Sequence, residues 1–237
     1  MTAVTVSKIV DEGAGAKTFR LALPEGTTLP FQPGQFVLAG LPDAPETHRP
    51  YSIASSPLEP DFIEITVGRL GEAEERLFGL KGGETLLISG ALGAWQFRDE
   101  HRNAVLLSTG VGIAPLRSII RYVLDKGLPN RLSLFYAERR PADILYQEEL
   151  KDFARHGVFV HATLTETEGL PENELWDGPK GPVTIKDIRK NVKDFKTAAY
   201  YLCGPNAFVE ALHAELADAG IPPASILAAK WGNFSCA

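Results

Sequence analysis

Long apolar runs are missing from this chain. No stretch of about eighteen apolar residues occurs, so no membrane-spanning helix is expected. Cysteine is scarce, with Cys203 and Cys236 the two in 237 residues. Two thiolates fall short of the set an iron–sulfur cluster takes, and they allow a single disulfide at most. A chain of this size without a cysteine framework fits a reducing compartment, so a cytoplasmic protein is expected. Met1–Lys8 shows no charged start followed by an apolar run, so no signal peptide is expected there. Long basic tracts are absent and the net charge is −6, which argues against nucleic acid as the main partner. The histidines (His48, His101, His156, His161, His213) lack metal-ligand spacing, and neither H-E-x-x-H nor C-x-x-C occurs, so no metal is expected. Without G-x-S-x-G, acyl transfer has no support.

What is present is ordinary in bulk and uneven in order. The hydrophobic fraction is 44% and the charged fraction 23%, a globular composition long enough for two modest domains. Short alternating runs fill the first part: Val4–Val6, Thr18–Leu23, Gln35–Ala39 and Phe62–Val67, separated by Gly/Pro turns. Closely spaced strands of this kind predict an all-β barrel, interrupted by a short helix from about Ala73 to Leu80. After about residue 103 the rhythm becomes strand and helix in turn. Strands are predicted at Ala104–Ser108, Leu132–Tyr136, Val158–Leu164 and Ala198–Leu202. Helices are predicted after Pro115, over Ile144–Ala154 and Thr184–Asn191, and from Asn206 to Ala219. That alternation predicts an α/β doubly wound parallel sheet. The domains are expected at 1–98 and 99–237.

Three short segments carry the chemistry. In Arg49-Pro50-Tyr51-Ser52, the proline favours extended backbone at Arg49, and a cation, an aromatic face and a hydroxyl follow one another. A planar guanidinium grips phosphate through paired donors. Phe31-Gln32-Pro33-Gly34-Gln35 lies upstream. In Thr109-Gly110-Val111-Gly112-Ile113-Ala114-Pro115, glycines join an apolar strand to a periodic helix. Such a turn lets backbone N–H groups and the positive helix end meet a pyrophosphate, and Pro115 suits the first helical turn. Cys203-Gly204-Pro205 follows a later strand, where ligands of doubly wound sheets gather. One segment suits a flat anionic ligand and the next a dinucleotide.

These residues resemble the ferredoxin–NADP reductase superfamily over nearly the whole chain. Its R-x-Y-S is matched by Arg49, Tyr51 and Ser52, and its F-x-P-G-Q by Phe31, Pro33, Gly34 and Gln35. Its glycine loop is matched by Thr109–Pro115, its C-G-P by Cys203–Pro205, and its D-x-x-Y-x-x-E-L by Asp143, Tyr146, Glu149 and Leu150. The resemblance implies a flavin-binding barrel followed by a nicotinamide-binding α/β domain. It implies hydride transfer from NADH or NADPH to bound FAD, with FMN the alternative. Electrons would then pass to a separate acceptor protein: a ferredoxin, an oxygenase component or another subunit. Arg49 and Pro50 would hold the flavin phosphate, Tyr51 would stack on the isoalloxazine, and Ser52 would bond flavin N5. Thr66, Val67 and Gly68 complete the barrel's cofactor set. Thr109, Gly110, Gly112, Ile113, Ala114 and Pro115 would line the nicotinamide dinucleotide. Cys203, with Gly204 and Pro205 beside it, would sit near nicotinamide C4. Ser52 and Cys203 are thus the expected catalytic pair, and Trp231 would cover the flavin.

The chain departs from the family pattern at two places. Glu72, Glu74 and Glu75 stand where the family binds the flavin pyrophosphate, and carboxylates there are expected to repel it. Ala229-Lys230-Trp231 replaces a terminal E-x-F. A free-flavin reductase and a non-catalytic electron-transfer subunit are the alternatives these departures leave open. Glu166 is expected to disfavour a 2′-phosphate and so to favour NADH, with Arg139 and Arg140 nearby arguing the other way.

Overall fold

In a computed structural model, the structure describes residues 1–13, 15–69, 71–170 and 176–231. Two compact units result. One comprises 1–97 together with 114–127, the other 98–113 together with 128–237.

The first unit holds strands β1 (Thr2–Gly13), β2 (Ala16–Ala22), β3 (Phe36–Gly40), β4 (Arg49–Ser52), β5 (Phe62–Gly68) and β6 (Thr85–Ile88). Helix α1 (Glu72–Phe78) falls between β5 and β6. The sheet is antiparallel, in the order β4-β3-β6-β1-β2-β5. Its two edges meet just beyond β4, where Ile53 bridges Ile65 and the Ala54 N–H donates to the Glu64 carbonyl at 2.7 Å. The sheet therefore curls into a barrel. Inward residues of the alternating strands, among them Val6, Phe19, Leu21, Val37, Ile63, Ile65 and Leu86, form its core. Each such side chain contributes roughly 1.5–3 kcal/mol through burial. Strand β6 was not expected. Leu87 interrupts the alternation between the buried Leu86 and Ile88, so the period-2 signal is masked.

Helix α2 (Ile113–Asp125) joins this unit from Ala114 onward. Its polar side chains reach the barrel. Arg117 Nη1 donates to Ala54 O at 3.0 Å and to Glu64 Oε2 at 2.7 Å, and Ser118 Oγ donates to Ser55 O at 2.6 Å. Glu64 also receives Arg20 Nε at 3.0 Å and Arg121 Nη1 at 3.2 Å, and Arg121 pairs with Glu59 as well.

The second unit is a parallel sheet of β7 (Asn103–Thr109), β8 (Arg131–Glu138), β9 (Phe159–Leu164), β10 (Ala199–Pro205) and β11 (Ile226–Trp231). The order is β11-β10-β7-β8-β9. Its helices are α3 (Gln147–Arg155), α4 (Ile185–Asn191) and α5 (Asn206–Asp218). Val105, Leu107, Phe135, Tyr200 and Leu202 share a buried cluster with Ile188 of α4 and Val209, Leu212 and Leu216 of α5. The chain reverses direction of growth between β7 and β10, so the crevice of the sheet opens at their carboxyl ends.

Several boundaries differ from the sequence expectation. Helix α3 starts at Gln147 rather than Ile144, because Tyr146 adopts a left-handed conformation (φ 56°) that closes off the preceding turn. Thr184 caps α4 instead of joining it, its hydroxyl accepting from Asp187 N–H at 3.3 Å. Strand β10 continues through Cys203-Gly204-Pro205, which pair with Ala229, Lys230 and Trp231 of β11, a strand that was not anticipated.

Candidate functional site

The barrel carries the first candidate segment on β4. Arg49, Pro50, Tyr51 and Ser52 pair with Ala39, Leu38, Val37 and Phe36 of β3. Alternation puts Tyr51 on the core side and leaves Ser52 half-buried on the other. The Arg49 guanidinium is fixed locally, Nη1 donating to the carbonyls of Glu46 (2.6 Å) and His48 (3.0 Å). Tyr51 is 8% exposed, lies within the apolar cluster, and donates its hydroxyl to Glu74 Oε1 at 3.2 Å. Burial pushes its pKa above the usual range, and the charge of Glu74 adds to that. Val67 is turned into the barrel core, Thr66 is buried on the opposite face of β5 with its hydroxyl sharing a 2.9 Å bond with Thr18, and Gly68 ends β5 against Ala16.

The carboxylates at the start of α1 do not stand together against an incoming anion. Glu74 folds back so that Oε1 meets Tyr51 and Oε2 lies where a β-carbon on Gly71 would be 3.3 Å away. Glu75, itself exposed, pairs with Arg69 at 2.9 Å, and Glu72 is exposed. The expected repulsion is therefore dispersed by local partners.

The upstream glycine has a scaffolding reason. Gly34 has φ 105°, and a β-carbon there would lie 2.7 Å from the Trp95 ring. Gln35 Nε2 donates to Gly93 O and the Phe97 N–H to Pro33 O, so this segment anchors the end of the barrel chain.

The second unit carries the glycine turn at the carboxyl end of β7. Gly110–Gly112 form one 3₁₀ turn between β7 and α2, and Pro115 falls in the first turn of the helix. A β-carbon on Gly112 would lie 2.4 Å from the Cys203 carbonyl oxygen and 2.8 Å from its carbon. Only glycine permits that approach, so the turn and the C-G-P segment meet backbone to backbone. Gly204 is similarly crowded, with Phe208 at 2.9 Å from its imagined β-carbon and Thr109 at 3.5 Å. The Cys203 thiol is buried, and burial pushes its pKa up to about 12, so it remains protonated at neutral pH. Trp231 ends β11 opposite Pro205, and its side chain lies outside the described residues, as does Cys236.

Both main-chain groups of Gly110 are held from β8. Its N–H donates to Glu138 Oε1 at 2.5 Å, and its carbonyl accepts from the Tyr136 hydroxyl at 3.3 Å. Glu138 is 9% exposed, and burial raises its pKa. Nearby, Arg139 grips Glu166 through two bonds of 2.7 and 3.1 Å, and Arg140 adds a third at 3.3 Å. The opposing charges weighed for the choice of nicotinamide thus form one cluster in which both cations hold the carboxylate.

Residues 3–97 match the family described as Oxidoreductase FAD-binding domain, and residues 106–214 match Oxidoreductase NAD-binding domain. The glycine betaine monooxygenase reductase subunit of Pseudomonas aeruginosa is 31% identical over 211 residues, covering 86% of this chain and 57% of that protein. A ferredoxin--NAD(P)(+) reductase component of naphthalene 1,2-dioxygenase/salicylate 5-hydroxylase systems from Ralstonia is 32% identical, covering 87% and 62%. The chain belongs to the ferredoxin–NADP reductase superfamily. It spans about three fifths of the length of these curated relatives. The superfamily fold also appears in the FAD/NAD-binding domain of nitric oxide dioxygenase from Vibrio cholerae, at TM-score 0.84 and 20% identity over 98% of both chains.

A superfamily member binds FAD and NAD(P)H, and the residues present fit both. The barrel offers the Arg49 cation, the Tyr51 ring and the Ser52 hydroxyl along one strand. The parallel sheet offers a glycine-lined turn at its switch point. Glu74 and Glu138 were missed as partners of these segments. Glu138 had a signal: an acid ending the second strand of a doubly wound unit, some twenty residues or more past the glycine turn, is the position that meets a ribose hydroxyl in related folds. Among the described residues no cluster of His, Cys, Asp or Glu could hold a metal, and no helix is long and apolar enough to cross a membrane.

Proposed function

We propose that this chain is the flavin- and nicotinamide-binding part of an NAD(P)H-dependent reductase that passes electrons to a separate acceptor protein. A ferredoxin or an oxygenase component is the acceptor class, in line with relatives that are reductase components of oxygenase systems. The observation that carries the reading is the seating of Gly112 against the Cys203–Gly204 backbone, at the carboxyl ends of β7 and β10. It brings together two segments far apart in sequence, which on this reading would both border the dinucleotide.

When bound, flavin would supply the redox chemistry that links a two-electron hydride donor to a one-electron acceptor. The protein's own part is placement and electrostatics. Arg49 would neutralise flavin phosphate, Tyr51 would present its ring and Ser52 its hydroxyl to the isoalloxazine. Thr66, Val67 and Gly68 would support them, and Trp231 would cover the ring. Thr109, Gly110, Gly112, Ile113, Ala114 and Pro115 would receive the dinucleotide. Cys203, protonated and fixed in β10 with Gly204 and Pro205, would border the nicotinamide. The functional division at 98/99 is part of this reading. So is a cytoplasmic setting, which the free Cys203 thiol suits.

The test is flavin content after purification, followed by oxidation of NADH and of NADPH with ferricyanide as acceptor. Near-stoichiometric FAD and turnover without added flavin support the reading. Turnover only when free flavin is supplied would replace it with a free-flavin reductase. An inert protein under both conditions would leave the non-catalytic subunit.

A further inference from the structure

We propose that Glu138 is a proton-linked positioning residue for the dinucleotide, taking up a proton when an anionic pyrophosphate settles on the turn it holds. The inference rests on the nicotinamide reading above.

Gly110 has φ 57°, and a β-carbon there would meet nothing within 4 Å. Its glycine is explained by conformation rather than crowding. What fixes the conformation is β8: Glu138 takes the N–H and Tyr136 the carbonyl of the same residue. The N–H that a phosphate oxygen would seek at this turn is thus already bonded to a carboxylate. A pyrophosphate arriving at Gly110–Gly112 comes close to that carboxylate, and two anions in a poorly solvated site repel.

The surroundings leave protonation as the relief. The basic side chains next in sequence, Arg139 and Arg140, are bonded to Glu166. The turn 110–112 contributes main chain only. The 3₁₀ turn Pro141–Asp143 contributes Asp143, whose negative charge raises the Glu138 pKa further. The end of β9 contributes the uncharged Thr163 and, just beyond, Thr165, whose N–H and hydroxyl both go to the Glu138 carbonyl, followed by Glu166. On β8 itself Tyr136 stays neutral, its one hydroxyl proton shared between Glu138 and the Gly110 carbonyl, and its bond to Glu138, with that from Gly110, moderates the upward shift that burial imposes. A protonated Glu138 keeps a carbonyl oxygen for the Gly110 N–H and gains a donor that can face the phosphate. The step is balanced: the carboxylate takes one proton from solvent, and no bond in the ligand changes.

Linkage fixes the sign. The protonated form binds better, so affinity falls as pH rises through the free-protein pKa of Glu138. The limiting slope is about tenfold per pH unit for one proton.

The experiment uses the flavin-loaded full chain and ADP-ribose, whose pyrophosphate stays ionised over the range. Calorimetry from about pH 5, just above the ordinary carboxylate range, to about pH 8, in buffers of different ionisation enthalpy, reads proton uptake directly on the unaltered protein. Uptake of a fraction of a proton is expected, with Kd rising several-fold across the range. Glu138→Gln keeps an acceptor for Gly110. It should bind with no proton uptake, a flat pH profile, and tighter than the unaltered protein at the alkaline end. A purely structural role would leave the pH slope in place. No uptake in the unaltered protein, or the same uptake and slope in Glu138→Gln, overturns the inference while the nicotinamide reading stands. Failure of both proteins to bind ADP-ribose at any pH overturns the two together.

Discussion

Gly112 and Cys203 are in backbone contact, so close that a β-carbon on Gly112 would fall 2.4 Å from the Cys203 carbonyl oxygen. Gly112→Ala must therefore displace backbone, not a flexible side chain. Overpacking of this kind costs roughly 1–3 kcal/mol. The variant is expected to unfold at lower urea, losing stability by that amount, and, because the displaced backbone is the turn itself, to bind ADP-ribose at least several-fold more weakly. Its flavin content should be unchanged. Unaltered ADP-ribose affinity would mean that the turn does not receive the dinucleotide.

The barrel site makes a separate prediction. Arg49→Ala should shed flavin on gel filtration. A hydrogen bond to a charged group is worth about 1.5–3 kcal/mol, which corresponds to a ten- to hundredfold loss of affinity. Tyr51→Ala should shift the flavin absorption bands and free Glu74, whose Oε1 now receives the Tyr51 hydroxyl. Flavin retained by Arg49→Ala with an unchanged spectrum in Tyr51→Ala would remove both from the site.

Buried charge sets the stability of the first unit. Glu64 is 4% exposed and bonded to Arg20, Arg117 and Arg121. Burial alone would raise its pKa, but the arginines, Arg117 foremost, outweigh burial and leave it lowered. A carboxyl with a lowered folded pKa contributes stability above its unfolded value, about 4.3, and loses it as pH falls through the folded value. Glu64→Gln leaves the arginines without their anion. Breaking a buried pair in this way costs about 3–5 kcal/mol. Urea unfolding at pH 7 should show that loss. The gap between variant and parent should narrow below about pH 4.3. A constant gap at all pH values would show that the network does not depend on ionised Glu64.

Cys203 should behave as a closed thiol. With its pKa pushed up to about 12 by burial, it should resist iodoacetamide in the native protein and label once unfolded, as peptide mapping would show. Cys203→Ala should slow hydride transfer in single turnovers more than it weakens flavin binding. Equal single-turnover rates would reject a role at the nicotinamide.

Much of the architecture is legible in the sequence because it rests on periodicity. The alternation at Thr18–Leu23 and Phe62–Val67 and the apolar run Ala104–Ser108 are local signals, and each formed the strand expected. Strand β11 was hidden because Ile226–Trp231 is short and made by pairing with β10, a tertiary effect that no local pattern announces. The left-handed Tyr146, which delays α3, is likewise fixed by its surroundings. At the candidate sites, the sequence marks residues but not their partners. Glu74 reads as a repelling charge until the structure shows its carboxylate on Tyr51. Glu138 lies two residues past the strand expected at Leu132–Tyr136 and carries no assignment until Gly110 is seen bonded to it. Gly112 reads as a glycine that lets the backbone meet a pyrophosphate, and the structure adds a second reason, its contact with Cys203 far along the chain.

The central claim is that reduced nicotinamide delivers electrons to a flavin held by this chain. It is tested most directly by an absorbance titration of the freshly purified protein with NADH, and separately NADPH, under anaerobic conditions. The account predicts flavin bands near one per chain that bleach with about one equivalent of at least one of the two donors. Flavin bands that persist with excess of both, or a colourless protein that does not oxidise either donor when FAD is supplied, would contradict it.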